Sequence, residues 1–257
     1  MDYERPYYEA GDGARNARPL LFYVIFGAAD RPLSVSRERH HVDEVPQGIT
    51  YTLYRRAEHM GAMSALIGDN LGAVLSRERP ELYETVQKTE TWAVVRGEAV
   101  QDQNLHYLRN TIGLVEAAAE DGAAGILDLQ TFTLYTPREW HEKIFSRDFS
   151  PFSHVTILAS REDDTGLIWL HTRGMRKFGR PDASIRDVPS GDVETAAQLI
   201  NQMTYYGALG TFFSQPVRLH PRPGVTCAVN PVVAGDPDNP DFNNTFYRLF
   251  WPDCIVL

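Results

Sequence analysis

The sequence predicts an α+β protein: a mixed or mainly antiparallel sheet with amphipathic helices packed on it. Three observations carry this expectation. Strand-length apolar runs recur without regular alternation with helices, two long segments repeat apolar residues every three and four positions, and a hairpin pattern lies in the second half.

Residues 1–19, rich in Gly, Arg, Asp and Pro, read as a flexible N-terminal arm that Tyr3, Tyr7 and Tyr8 could dock. Leu20–Phe26 is a continuous apolar run ended by Gly27 and Arg31-Pro32, as expected of a buried strand. A second strand follows Gly48 in ITYTLYRR, and HMGAMSALIGDNLGAVL at 59–75 has near-helical spacing interrupted by glycines. Pro80 opens a short helix through Gln87, and Trp92–Arg96 makes a third strand. The clearest helix runs from about Asn104 to Glu120, with Leu105, Leu108, Ile112, Val115 and Ala119 on one face, Asp102 or Asn104 as cap, and Gly122 as its end. GILDLQTFTLY at 125–135 reads as one strand, and Thr136-Pro137-Arg138-Glu139 as a helix start.

HVTILAS (154–160) and GLIWLHT (166–172) flank a polar turn and predict a hairpin. Val193–Tyr206 is the second strong helix, capped by Ser190 or Asp192, and the tail supplies short strands near Val217–Leu219, Thr226–Val229 and Phe246–Phe250. No repeat and no low-complexity linker divides the chain, so 20–257 reads as a single domain, with two sub-halves joined near 99–103 as the alternative.

Composition narrows the function classes. The net charge of −9, from 34 acidic and 25 basic residues, disfavours nucleic acid, whose phosphates need a clustered basic surface. No run approaches the roughly 18 apolar residues of a membrane span. The N-terminus lacks the pattern of a secretory signal, so a cytoplasmic location is expected. Cys227 and Cys254 have no Cys-x-x-Cys spacing and read as packing residues rather than a disulfide framework or zinc site.

Within this acidic chain, HTRGMRKFGRPD at 171–182 gathers three arginines, a lysine and a histidine. Together with GAAG (122–125), YTPREW (135–140) and DVETAAQLINQM (192–203), it resembles a bacterial domain family described only as a domain of unknown function. The match spans about 104–213. The resemblance implies a compact cytosolic α+β bacterial protein and supplies no catalytic residue.

Read as chemistry, Arg173, Arg176, Lys177 and Arg180, with His171, form a candidate anion site, because the glycines let backbone wrap an anion and arginine offers a planar fork. The competing explanation is a folded corner: Gly174 and Gly179 in tight turns, Phe178 in the core, and the cations paired with acids.

No cofactor or metal site is expected. His154 and His171 lie on paired strands with His171 opposite about Leu158, which separates the two rings by ~13 Å. His141-Glu142 lacks the His-Glu-x-x-His spacing, and the loop around Asp236, Asp238, Asn239 and Asp241 lacks the glycine and twelfth-position glutamate of a calcium loop. No nucleophile motif is present, and no catalytic residue is assigned. On one helix Tyr205 and Tyr206 face different sides, which leaves at least one for a partner. The expected function is protein binding, of an immunity or adaptor type. The alternatives are a small anionic ligand held at 173–180, and an unrecognised hydrolase using groups such as His171 and Glu142.

Overall fold

A computed structural model describes residues 3–8, 18–162, 165–230, 232–233, 244–251 and 254–256. It is α+β with mostly antiparallel sheets. The first sheet holds β1 (Leu20–Phe26), β2 (Ile49–Arg55), β3 (Thr91–Glu98), β4 (Gly125–Asp128) and β5 (Thr133–Tyr135) in the order β2-β3-β1-β4-β5. The unbroken apolar run of β1 has a physical reason: Leu21, Tyr23 and Ile25 enter one core, while Val24 and Phe26 enter the core on the opposite face.

Helices cover both faces. One-turn α1 (Arg37–His40) is followed by α2 (Arg56–Ile67), α3 (Asp69–Glu78) and α4 (Pro80–Gln87), which supply Met63, Ile67, Leu75 and Val86 to one core. Opposite them lies α5 (His106–Ala119), with 11 of its residues buried. The sequence pattern predicts one apolar face for this helix, but both sides are covered. Gly113 lets the backbone of His40 approach so closely that a Cβ would clash with its carbonyl, and Ala117, Ala118 and Ala119 near the C-terminus are buried.

Two expectations are corrected here. The helix predicted over 59–75 breaks at Gly68, which is extended at φ −86°, ψ −170°. The strand predicted over 125–135 is two antiparallel strands, because Gln130 N–H donates to Asp128 (2.9 Å) and Phe132 is left-handed at φ 57°. The helix start at 136–139 is a capping box as read, opening α6 (Pro137–Trp140), which continues as a π-helical turn over His141–Phe145.

A second sheet of order β11-β12-β8-β7-β6 contains β6 (Thr156–Glu162), β7 (Leu167–Arg173), β8 (Asp182–Val188), β11 (Val232–Val233) and β12 (Phe246–Phe250). The hairpin register places Leu158 opposite His171, as the spacing predicts. Central strand β8 is absent from the sequence reading, since DASIRDV carries little β-branched content and gains its place from its neighbours. The basic motif therefore joins two strands. A small sheet of β9 (Val217–Arg222), β10 (Val225–Val229) and β13 (Cys254–Val256) completes the set. Helix α7 (Val193–Ala208) packs Ala196, Leu199, Ile200 and Met203 into the core of this half. Asp192 stands at its N-cap, yet its carboxylate accepts from Trp251 Nε1 (2.9 Å) rather than from the helix.

The change of sheet falls between β5 and β6, and residues 99–105 bind the start of the chain: Arg5 N–H donates to Gln103 O (2.9 Å) and Leu105 N–H to Tyr3 O (2.6 Å). Part of the expected arm, residues 3–8, is thus docked, and residues 9–17 lie outside the described residues. Cys227 is disulfide-bonded, against the expectation of a plain packing residue, and the β10–β13 register sets it opposite Cys254, the other cysteine of the chain. The calcium-like loop of Asp236, Asp238, Asn239 and Asp241 lies outside the described residues, as does the hairpin turn at 163–164. No helix among the described residues is long and apolar enough to cross a membrane.

Candidate functional site

The basic motif between β7 and β8 forms a 3₁₀ turn, Met175–Phe178, bracketed by two left-handed glycines, Gly174 (φ 118°) and Gly179 (φ 61°). A Cβ at Gly174 would clash with the carbonyl of His154. Met175 and Phe178 insert into the core of the first sheet, so the motif joins the second sheet to the first. Neighbours hold its carbonyls. Tyr107 Oη donates to Lys177 O (2.9 Å), Arg5 Nη2 to Phe178 O (3.1 Å), and Gln101 Nε2 to Gly179 O (3.4 Å).

The predicted ligand cations take separate directions within this corner. Lys177, with no side-chain exposure, pairs with Asp128 and donates to His154 O (2.9 Å). Burial pulls its ammonium below the ordinary lysine range, while Asp128 opposes that pull. Arg173, also buried, lies over the Phe132 ring at 3.8 Å, with Nε 3.4 Å from Gln130 O. Arg180 donates to Thr211 O (3.0 Å), Gly210 O (2.7 Å), Gly179 O (2.9 Å) and Gln101 Oε1 (2.7 Å). Arg176 is half-buried in the turn, and buried His171 stacks on Trp169 at 4.2 Å. Glu142, the other group of the hydrolase reading, is paired with Arg138 on the π-helical turn. The structure does not bring His171 and Glu142 to one element.

Arg180 lines a cleft of about 340 Å³ with Pro6, Tyr7, Tyr8, Gly210, Thr211 and Phe212. Arg5 shares its Gln101 acceptor (3.2 Å), and both guanidinium groups lie over Tyr8, at 5.1 Å and 5.8 Å. Burial, with the charge of Arg5, pulls Arg180 down to about 10.

A wider groove of about 520 Å³ runs between α7 and β9, lined by Phe152, Asn201, Gln202, Tyr205, Tyr206, Arg218, Leu219 and His220. Phe152 is 49% exposed and Tyr206 37%; Tyr7, 47% exposed, meets Tyr206 at 5.8 Å and carries the aromatic surface toward the Arg180 cleft. Gln202 Nε2 donates to His220 O (2.5 Å), which fixes the helix against the strand. The exposed tyrosine is legible in the sequence from the Tyr205-Tyr206 pair. Phe152 is not, and its signal is an aromatic side chain between Pro151 and Ser153 that fits no core period.

A third groove, of about 500 Å³, mixes Arg109, Arg147, His41 and His106 with Glu4 and Asp148. Among the described residues no three His, Cys, Asp or Glu side chains are placed to hold a metal ion. No protein-family model matches the chain, and searches of curated proteins and of solved structures return no match.

Proposed function

We propose that the protein acts by binding another protein, through the aromatic groove between α7 and β9. One observation carries this reading. Of seven large hydrophobic side chains left exposed among the described residues, Tyr7, Phe152 and Tyr206 gather at this one surface. Tyrosine and phenylalanine give large contact area for few frozen rotors, and exposed aromatic clusters mark interaction sites. An immunity-type or adaptor role fits such a module. The likeness of 104–213 to an uncharacterised bacterial domain family adds no activity to it.

Affinity capture from cells that make the protein tests the reading, with the wild type beside Tyr206→Arg, Phe152→Arg and Arg161→Glu, the last exposed on β6 and outside the groove lining. The expected result is a stoichiometric protein held by the wild type and Arg161→Glu and lost by both groove variants. A partner retained by all four proteins, or by none, overturns it. Cytoplasmic residence belongs to this reading, with the disulfide-bonded Cys227 weighing against it, because disulfides persist mainly outside reducing compartments. Thiol labelling in intact cells separates the two locations.

A second reading, a small anionic ligand at the basic motif, is favoured by the meeting of Arg5 and Arg180 on Gln101 beside the 340 Å³ cleft. An anion there would relieve the repulsion between the two cations. Thermal melting with phosphate, citrate and nucleotide monophosphates checks it. A rise in Tm for the wild type that disappears in Arg180→Gln supports the site, and no rise with any of them removes it.

A further inference from the structure

Accepting the α7–β9 groove as the docking surface, we infer that its occupant is an acidic peptide segment of the partner, carrying an aromatic or large aliphatic anchor beside a carboxylate. The chain has 34 acidic against 25 basic residues, yet among the described residues none of the eight that line this groove is a carboxylate. The lining instead supplies three aromatics (Phe152, Tyr205 and Tyr206), the amides of Asn201 and Gln202, and the basic side chains Arg218 and His220. On a surface this acidic, a local patch without acids is where a negative ligand meets least repulsion, and complementarity of sign selects the partner.

Geometry assigns the roles. Arg218 and His220 stand two apart on β9, so both point to the same face of the strand, and both are exposed. Arg218 makes no ion pair among the described residues. Its guanidinium offers a fork for one carboxylate. The rings of Tyr205 and Tyr206, edge to face at 5.6 Å, and exposed Phe152 form an apolar wall for the anchor. The amide of Gln202 is already held by His220 O, which leaves exposed Asn201 to meet the peptide backbone. A peptide fits this chemistry better than a nucleic acid, because one arginine can neutralise one carboxylate, whereas a polyanion requires a basic track and meets a chain of net charge −9.

The test pans a random dodecapeptide display library against the full chain and measures the selected peptides by fluorescence anisotropy. The expected consensus pairs Asp or Glu with Trp, Phe or Leu. Binding should weaken with added salt, fall by about 10-fold or more in Arg218→Glu and by about 30-fold in Tyr206→Ala, and stay unchanged in Arg161→Glu. Unaltered Tm values for the variants exclude unfolding as the cause of loss. A basic or uncharged consensus whose binding still disappears in Tyr206→Ala overturns the acidic occupant and leaves the docking groove standing. Selected peptides indifferent to Tyr206→Ala and Phe152→Ala, or no enrichment at all, overturn both. Tighter binding of a single-stranded oligonucleotide, lost in Arg218→Glu, also overturns the peptide assignment.

Discussion

Lys177 and Asp128 form an ion pair with side-chain exposures of 0% and 5%, joining the turn after β7 to the end of β4. The lysine also donates to His154 O, so one ammonium holds three separate chain segments. Removing only the lysine leaves a buried carboxylate without its cation. Lys177→Met is therefore expected to lower stability by about 3–5 kcal/mol, and Lys177→Met with Asp128→Leu to recover most of that loss, since desolvation offsets much of what a buried pair contributes. Urea denaturation of the two variants measures it. A single-variant loss below ~1 kcal/mol contradicts the buried pair.

This ion pair marks a limit of sequence reading. The glycines, Phe178 and Pro181 identify a folded corner, and periodicity places α5, α7 and the β6–β7 hairpin to within a few residues. What periodicity omits is the set of partners. Asp128 lies 49 residues from Lys177, and nothing local in GILDLQ indicates that its aspartate faces inward. Strand β8 is similarly silent, because its position between β7 and β12 comes from pairing across the sheet rather than from its own composition. For the candidate surface, Tyr206 is legible from its neighbour on the helix. Arg218, His220 and Phe152 reach the groove only through tertiary packing.

Arg180 connects three segments in a comparable way. Its guanidinium reaches Gln101 Oε1 and the carbonyls of Gly210 and Thr211, beside Tyr8. Arg180→Lys keeps the charge but loses the planar fork, so the loop after α7 should loosen. A loss of about 2–3 kcal/mol is expected, with faster amide exchange at Gly210 and Thr211. Unchanged exchange at those two amides would contradict the clamp.

Cys227 is buried and disulfide-bonded in a sheet whose register pairs β10 with β13. Closing the 227–254 loop removes entropy from the unfolded chain, by roughly 3 kcal/mol. Treatment with a phosphine reductant should lower Tm by about 6–12 °C. Cys227→Ser should show the lowered Tm at once and no further response to reductant. Equal melting of oxidised and reduced wild type would count against a stabilising bond.

His154 and Asp182, both buried at the basic corner, depart from their ordinary titration in ways that oppose one another. Burial, reinforced by the charge of Lys177, pulls His154 down to about 3. Burial pushes Asp182 up to about 6, although Asn244, Thr172 and the Met175 N–H all donate to its carboxylate. Between pH ~6.5 and 3 the unfolded chain holds a proton on His154 that the fold refuses, so this residue makes stability fall as pH falls. From pH ~3.8 to 6 the fold holds a proton on Asp182 that the unfolded chain releases, so that residue makes stability fall as pH rises. Their slopes, each up to about 1.4 kcal/mol per pH unit, cancel between pH ~4 and 6 in the wild type. Relative to the wild type, His154→Phe should lose stability as pH rises through this window, and Asp182→Asn as pH falls through it. Urea midpoints at four pH values in the window measure both differences, and two variants with parallel profiles would show that the corner does not balance these protons.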